Sequence, residues 1–214
     1  MFCGKTFWIT PMRNERAARL GVTQNAIFLA LKKLRVSYKK TLAHPKANES
    51  ARRIFKDRIA AYEAADRTIV YIDESGFSHD MPRTHGYAPI GKRCHGVRDW
   101  HARGRTNVIG ALIGTILLTA GLFTNNVDAD VFTGWVVPDM LPKLPASSVV
   151  VMDNATFHKR QDTQRAITQA GQTLEYLSPY SPDLNPIEHK WAHIKAIRKQ
   201  QNVTINELFK NHML

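Results

Sequence analysis

The sequence lacks the features that mark secreted and membrane proteins. It has only two cysteines, Cys3 and Cys94, in 214 residues, which excludes a disulfide-rich scaffold and fits a reducing compartment such as the cytoplasm. Its amino terminus contains no apolar stretch long enough for a signal peptide. Residues 107–123 carry no charge, but they fall short of the ~20 apolar residues of a spanning helix and contain several glycines. We therefore expect no membrane segment, but two buried strands with a turn near Gly114 and Thr115.

Acidic residues are scarce in the first third of the chain. Residues 1–67 hold 15 Lys and Arg but only 5 Asp and Glu, a net charge of +10, whereas residues 68–214 hold 15 against 13, a net charge of +2. This asymmetry indicates a module that binds a polyanion, attached to a nearly neutral body. A solvated basic surface without a binding role would explain this charge equally well. The apolar fraction of 43% excludes a disordered chain.

The basic third has the pattern of a helix-turn-helix. Thr10 and Pro11 are typical of a helix start. Gly21 can take a left-handed turn, and Thr23 then predicts the N-cap of a second helix from about Gln24 to Arg35. An ordinary helical hairpin is the alternative interpretation. The apolar residues expected to face one another across the two helices are Ala17, Leu20, Ile27, Leu31 and Leu34.

In a DNA-binding helix-turn-helix, the second helix enters the major groove. Gln24 and Asn25 are then expected to contact bases, while Lys32, Lys33 and Arg35 contact phosphates. Such a unit usually rests on a preceding helix, and few residues precede this one. We therefore expect an incomplete module in residues 1–47, including a linker, before a second domain of residues 48–214.

Two apolar runs in the body each end in an aspartate. One run covers residues 68–72 and ends at Asp73, and the other covers residues 148–152 and ends at Asp153. Runs this apolar are typical of strands buried on both faces. An acid at the carboxyl end of a central strand lies where α/β proteins build their sites. A turn or a helix cap would explain either acid alone, whereas the repeated pattern favours function.

A third acid, Glu188, follows a proline-rich segment that predicts a rigid entry to a helix. Asn185 is the expected N-cap and Pro186 the first helical position, which makes Glu188 the third. An acid three residues after the cap also fits a capping box, and this alternative stays open. Trp191 belongs to the helix face that we expect to pack on the sheet.

Three carboxylates that converge would bind a hard divalent cation, chiefly Mg²⁺ or Mn²⁺. Two such ions about 3.5–4 Å apart activate a water or hydroxyl and stabilise the leaving oxygen of a phosphodiester. Taken with the basic module, this chemistry predicts DNA as the partner. His189 and His193 have a spacing that can bind zinc, but no third ligand accompanies them, and we do not predict a zinc site.

Three stretches carry a family resemblance: Tyr71-Ile-Asp-Glu-Ser-Gly-Phe77, Val151-Met-Asp-Asn-Ala-Thr-Phe-His-Lys159 and Tyr176-Leu-Ser-Pro-Tyr-Ser-Pro-Asp-Leu-Asn-Pro-Ile-Glu188. With these motifs, and with 34 residues between the second aspartate and the glutamate, the chain resembles the DDE-type transposases of bacterial insertion sequences in the mariner superfamily. The resemblance is strong from about residue 68 to the carboxyl terminus and looser over the helix-turn-helix.

The resemblance implies an α/β fold, namely an RNase H-like mixed five-stranded sheet flanked by helices and preceded by a small all-α helix-turn-helix module. Asp73 would end the first strand, Asp153 the fourth, and Glu188 would lie on a following helix. These three residues would be both the catalytic residues and the metal ligands. Residues 107–127 would form the second and third strands as a hairpin.

The resemblance also implies the reaction and the partners. The enzyme would nick DNA hydrolytically at the ends of the transposon, and the freed 3′-hydroxyl would attack target DNA, with two Mg²⁺ or Mn²⁺ ions as cofactors. The partners would be the terminal inverted repeats, the target DNA and a second copy of the chain in a homodimeric synaptic complex, in the nucleoid of a bacterial cytoplasm. The alternative is a non-catalytic DNA-binding remnant of a transposase with a truncated amino-terminal module.

Several neighbouring residues have weaker patterns. Glu74 should point to the face of its strand opposite Asp73, so we give it no metal role. His158 and Lys159 flank Asp153, and Arg103 and Arg105 precede the predicted hairpin. All four are expected to contact DNA, with exposed basic loops as the alternative.

Overall fold

The computed structural model describes residues 13–36, 46–80, 87–95 and 104–212. The predicted helix start at Thr10 and Pro11, most of the predicted linker, and Arg103 lie outside these residues. The chain divides into two compact units, residues 1–42 and residues 43–214; the prediction from the sequence put the boundary between residues 47 and 48. In the part of the chain that the structure describes, no helix is both long and apolar enough to cross a membrane.

The first unit contains helices α1 (Arg13–Leu20) and α2 (Gln24–Lys33). Thr23 accepts a hydrogen bond from the Ala26 amide at 3.2 Å, and Gly21 has a φ of 63°, so the predicted N-cap and left-handed turn are confirmed. Helix α2 ends before the predicted Arg35, because Arg35 itself takes a left-handed conformation with φ 54°. The expectation that Leu20 and Leu34 pack between the two helices is wrong, since they are 65% and 64% exposed.

The second unit is built on one mixed sheet of five strands in the order β3-β2-β1-β4-β5. Strand β1 is antiparallel to β2 and parallel to β4. At the two ends of the sheet, β3 is antiparallel to β2, and β5 is parallel to β4. The predicted mixed five-stranded sheet is therefore confirmed. The strands are β1 (Ile69–Ser78), β2 (Arg105–Ile113), β3 (Ile116–Phe123), β4 (Val149–Met152) and β5 (Thr173–Tyr176).

Helices cover both faces of the sheet. The helices of this unit are α3 (Glu49–Ala64), α4 (Ala129–Trp135), α5 (Gln161–Gln169), α6 (Ile187–Gln201) and α7 (Ile205–His212). Val70 and Ile72 of β1 pack with residues of α4 and α5 on one face. On the other face, β2 and β3 pack with α6 and α7, and β4 packs with α3. Alternation along each strand therefore gives the sheet two buried faces, as the continuous apolar runs predict.

The uncharged segment in the middle of the chain forms the predicted hairpin. Strands β2 and β3 are joined by a tight turn at Gly114, which has a φ of 57°, and Thr115. Residues 107–112 of β2 are all buried. Burial on both faces of the sheet explains why this segment carries no charge.

Candidate active site

Asp73 lies in the middle of β1, and the prediction that it ends the strand is wrong. Parallel pairing with β4 stops at Tyr71 and Val151, but β1 continues to Ser78 because β2 still pairs with it. Asp73 therefore sits just beyond the point where β4 leaves β1. On its face of the sheet, the Trp191 indole N–H donates a hydrogen bond to Asp73 Oδ2 at 3.1 Å.

Gly110 makes the approach of Trp191 to Asp73 possible. Gly110 is the β2 residue paired with Asp73. A Cβ atom at Gly110 would lie 2.5 Å from Cη2 of the Trp191 ring, which is closer than two carbon atoms can approach. The glycine therefore allows α6 to lie against the sheet at the height of Asp73.

Asp153 follows directly after β4, as predicted. Its Oδ1 atom accepts a hydrogen bond from the Ala155 amide at 2.8 Å and lies 2.6 Å from His158 Nδ1. The hydrogen bond from His158 lowers the pKa of Asp153 below its ordinary value, against the opposing effect of burial.

Glu188 is the second residue of α6, which begins at Ile187 rather than at the predicted Pro186. The predicted side-chain cap does not form, because the buried Oδ1 atom of Asn185 has no hydrogen-bond partner among the described residues. The Glu188 side chain is exposed, and within the same residues it makes no hydrogen bond. The capping-box alternative is thus not the arrangement found, and the carboxylate is available to other partners.

Glu188 and Asp153 lie close enough to Asp73 to affect it electrostatically. Burial, and then the charges of Glu188, Glu74 and Asp153, raise the pKa of Asp73 to about 8. In the described ranges, however, no group of three His, Cys, Asp or Glu side chains has the geometry to hold a metal ion.

The chemistry of this donor set nevertheless suits a hard divalent cation. Carboxylate oxygens are the ligands that Mg²⁺ and Mn²⁺ prefer. Asp73 and Asp153 each use one oxygen for the hydrogen bonds described above, which leaves the second oxygen of each for a cation. The crowding of negative charge that raises the pKa of Asp73 is the kind of repulsion that a bound cation relieves.

The structure contradicts the expectation that His158 contacts DNA. Its side chain is fully buried, and its Nε2 atom lies 2.8 Å from Glu74 Oε1. Glu74 points to the face opposite Asp73, as predicted. Burial lowers the pKa of His158, but the hydrogen bonds to Asp153 and Glu74 outweigh burial and raise the pKa to about 9. His158 is therefore a cation at neutral pH, and both of its ring N–H groups donate.

A family model described as DDE superfamily endonuclease matches residues 68–208. This chain belongs to the DDE superfamily endonucleases. The matched residues include the three acids, which lie on β1, after β4 and on α6. A comparison with curated proteins finds no match to the sequence of this endonuclease.

Solved structures similar to this chain include complexes of Mos1 transposase. The endonuclease is 17% identical to the Mos1 paired-end complex with the left transposon end, with a TM-score of 0.61 over 88% of this chain and 61% of that chain. It is 19% identical to the Mos1 strand transfer complex, with a TM-score of 0.62 over 94% and 64%. The mariner Mos1 paired end complex with Mg gives 18% identity and a TM-score of 0.57 over 86% and 60%.

These matches show that the second unit has the RNase H-like fold of the transposase catalytic domain. The endonuclease spans about three fifths of the length of the transposase chains in these complexes. Helical structure is also present in the amino-terminal region of this chain, as predicted.

Apart from Arg103, which lies outside the described residues, the other residues with predicted DNA contacts are at exposed positions. In the first unit, Gln24 and Asn25 lie in the first turn of α2, Lys32 and Lys33 in its last turn, and Arg35 just after it. In the second unit, Arg105 is the exposed first residue of β2, and Lys159 is exposed with its ammonium 5.7 Å from the centre of the Tyr176 ring. The predicted contacts of these residues with DNA stay predictions.

Sequence reasoning missed the side chains that hold the acids in place. Trp191 was expected only to pack on the sheet, and its hydrogen bond to Asp73 was not expected. His158 was assigned to DNA because it follows Asp153 closely and is basic. The sequence carries no local signal for the contacts of Trp191 with Asp73 and of His158 with Glu74, because the partners lie far apart in the chain.

Proposed function

We propose that this endonuclease is a DNA transposase that uses divalent metal ions. It would hydrolyse phosphodiester bonds at the ends of a transposon and transfer the freed 3′-hydroxyl ends into target DNA. The observation that carries the proposal is that Asp73, Asp153 and Glu188 come from three separate elements that pack together, because β1 pairs with β4 and Trp191 of α6 donates a hydrogen bond to Asp73. Membership of the endonuclease family and the fold shared with transposase–DNA complexes support it.

The three acids have distinct positions in the proposed mechanism. Asp73 is rigid because it lies in the centre of a sheet and is fixed by Trp191. Asp153 is fixed by a backbone amide and by His158. Glu188 is exposed on the first turn of α6 and can adjust its side chain to complete the set. One or two Mg²⁺ or Mn²⁺ ions held by these carboxylates would supply Lewis-acid stabilisation of the phosphodiester oxygens.

The first unit is proposed to hold the DNA. Helix α2 presents Gln24 and Asn25 for base contacts, and Lys32, Lys33 and Arg35 for phosphate contacts. The exposed positions of these side chains support this assignment. Arg103, Arg105 and Lys159 are proposed to contact DNA from the catalytic unit.

Three further proposals follow from a transposase function. Two transposon ends must be brought together for strand transfer, so we propose a homodimer in the synaptic complex. The DNA bound would be double-stranded terminal inverted repeats and target DNA. The site of action would be the bacterial nucleoid in the cytoplasm.

A nicking assay tests the catalytic part of the proposal. Supercoiled plasmid carrying the DNA that flanks the coding sequence is incubated with the protein and Mg²⁺ or Mn²⁺. We expect nicked product with wild type, and a loss of at least about a hundredfold in Asp153→Asn and Glu188→Gln, because each substitution removes a charged ligand without changing its size. Asp57→Asn is the matched control, since it removes the same charge from an exposed position on α3.

Two outcomes of the nicking assay would contradict the proposed metal-dependent catalysis. Nicking at the same rate in wild type and in Asp153→Asn would mean that the activity does not come from this site. Nicking that persists after chelation with EDTA would exclude the proposed dependence on divalent cations.

A DNA-binding protein without catalysis is the second candidate. The observation that favours it is the absence, in the described residues, of three side chains gathered tightly enough to hold an ion. Mn²⁺ titration in the presence of DNA separates the two candidates. Binding of Mn²⁺ that is lost in Asp153→Asn favours the transposase, whereas DNA binding without any Mn²⁺ binding favours the second candidate.

A further inference from the structure

His158 is the most deeply buried ionisable side chain near the proposed site, and the mechanism above gives it no direct role. It lies in the short 3-10 helix Thr156–Lys159 and has no exposed side-chain surface. Its ring packs against Phe132 and Phe157, with ring centres 4.4 and 4.3 Å away. The polar nitrogens of a ring in such apolar surroundings are costly to bury unless each has a hydrogen-bond partner.

Both nitrogens of the His158 ring are paired with carboxylates. Nδ1 lies 2.6 Å from Asp153 Oδ1, and Nε2 lies 2.8 Å from Glu74 Oε1. Glu74 is largely buried, with 20% of its side chain exposed, whereas 47% of the Asp153 side chain is exposed. The ring therefore links a fixed carboxylate inside the protein to one at the edge of the proposed site.

The link determines which oxygen of Asp153 faces the site. Oδ1 receives two donors, the His158 ring and the Ala155 amide, and this pair of bonds prevents the carboxylate from rotating. Among the described residues, Oδ2 makes no hydrogen bond. It is the oxygen that remains for an external ligand.

We propose that Glu74 and His158 form a positioning pair that holds Asp153 with Oδ2 directed to a divalent cation. This inference rests on the proposed function, in which Asp153 is a metal ligand. Hydrogen-bond partners that orient a metal ligand typically contribute 10- to 100-fold to metal affinity, so an effect of about that size is expected. Glu74 and Asp73 are neighbours on β1 but point to opposite faces, so this one strand orients two of the three acids, one directly and one through His158.

Two substitutions of His158 each keep one of its two hydrogen bonds and remove the other. The amide nitrogen of His158→Asn occupies nearly the position of Nδ1 and can still donate to Asp153. The amide nitrogen of His158→Gln occupies nearly the position of Nε2 and can still donate to Glu74. Each change removes the ring and keeps one of its two hydrogen bonds, so each variant is the control for the other.

The measurement is Mn²⁺ affinity of the full chain by calorimetry, with the melting temperature in EDTA as a second readout. We expect His158→Gln to bind Mn²⁺ about 10- to 100-fold more weakly than wild type, and His158→Asn less than about fivefold more weakly. Melting temperatures of the two variants should fall by similar amounts, because each loses one buried hydrogen bond and the packing of the ring. A purely structural role for His158 would give both variants the same Mn²⁺ affinity.

A second pair of variants covers the case in which neither His158 variant folds. Glu74→Gln keeps an acceptor for Nε2, and Glu74→Leu of similar size removes it. We expect Glu74→Gln to bind Mn²⁺ within about threefold of wild type and Glu74→Leu to bind about tenfold more weakly. Equal affinities in this pair would overturn the positioning role.

Failure of the proposed function gives a different result from failure of the inference. If wild type binds no Mn²⁺, then Asp153 is not a metal ligand and the positioning role is overturned with it. If Mn²⁺ binding is lost in Asp153→Asn but is the same in both His158 variants, only the positioning role is overturned.

Discussion

At the scale of single residues, the site depends on how closely a helix can approach a strand. Gly110 has no side chain, and the Trp191 ring occupies the space that a Cβ atom would need. Trp191 can therefore reach Asp73 on the neighbouring strand and donate its indole N–H. A hydrogen bond to a carboxyl group in these surroundings is worth about 1.5–3 kcal/mol when the group is charged.

Substitution of Gly110 by alanine should destabilise the protein. The added methyl group would lie 2.5 Å from the Trp191 ring, and overpacking of this kind costs about 1–3 kcal/mol. Gly134→Ala in α4 is the matched control, because nothing lies within 4 Å of its Cβ position, and alanine in a helix gains about 0.5–1 kcal/mol over glycine. Urea unfolding of both variants checks this, and changes of the same sign would contradict it.

The raised pKa of Asp73 predicts a pH-dependent stability in the metal-free protein. Asp73 in the folded protein holds its proton up to about pH 8, whereas the ordinary value of 3.8 applies in the unfolded chain. Between these values the folded state binds more protons, so this contribution to stability is complete below about pH 4 and is lost as the pH rises through 8. Asp73→Asn has no such loss.

We therefore expect the stability of Asp73→Asn relative to wild type to increase from about pH 5 to about pH 8, by on the order of 3–4 kcal/mol. The measurement is the free energy of unfolding in urea, with EDTA present at every pH. Asp57→Asn, an exposed substitution on α3, should follow wild type. A difference between Asp73→Asn and wild type that does not change with pH would contradict the raised pKa.

At the scale of helices and strands, the apolar runs in the sequence predict which strands exist, but they do not predict where each strand ends. Strands β1 and β4 and the β2–β3 hairpin are predicted because continuous β-branched and apolar residues suit a sheet buried on both faces. The end of β1 was predicted wrongly at Asp73. Beyond Tyr71, β1 is paired with β2 but no longer with β4. Its residues there are no longer uniformly apolar, although the strand continues.

The side-chain partners within the site could not be predicted from the sequence. The pattern of residues locates Asp73, Asp153 and Glu188 on their elements, because each acid interrupts or follows a regular pattern. Which side chain fixes each acid depends on packing between elements far apart in the chain. The bond from Trp191 to Asp73 spans 118 residues, and the bond from His158 to Glu74 spans 84; neither separation has a periodicity that a local pattern could show.

Helix α2 provides a test of the proposed DNA contacts. Substitution of both Lys32 and Lys33 by glutamine should reduce the slope of log affinity against log salt concentration by about 2, since each phosphate contact contributes about 1. Asn25→Ala should leave this slope unchanged and lower the discrimination between terminal-repeat and unrelated DNA by about 1–3 kcal/mol. Gel-shift titrations at several salt concentrations give both quantities. An unchanged slope in the double variant would contradict the phosphate assignment.

At the scale of the whole molecule, the site joins parts of the chain that are distant in sequence. Parallel pairing of β1 with β4 brings Tyr71 beside Val151, and α6 then adds Glu188 from further along the chain. Closing loops of this length costs conformational entropy, and contacts between residues close in sequence cannot by themselves bring the acids together. The carboxylates are consequently assembled only in the folded second unit.

The charge of the whole chain also has a different meaning once the structure is known. The net charge of +12 predicts a polyanion as partner, and the exposed lysines on α2 agree with that expectation. Net charge could not reveal the acids at the edge of the sheet, because their negative charges are cancelled in the sum. A positively charged total and a negatively charged site are compatible because they belong to different parts of the chain.

The alternation of Asp73 and Glu74 along β1 limits which insertions and deletions the gene can accumulate. Each residue of a strand faces the side opposite its neighbour, so a one-residue deletion between Ile69 and Ile72 would turn Glu74 towards Trp191 and remove the partner of His158. Loss of a single codon would therefore displace Asp73 from the site and leave Asp153 without the proposed positioning pair. We therefore expect functional relatives of this chain to differ in the length of the loops around β1, and to keep the spacing within the strand unchanged.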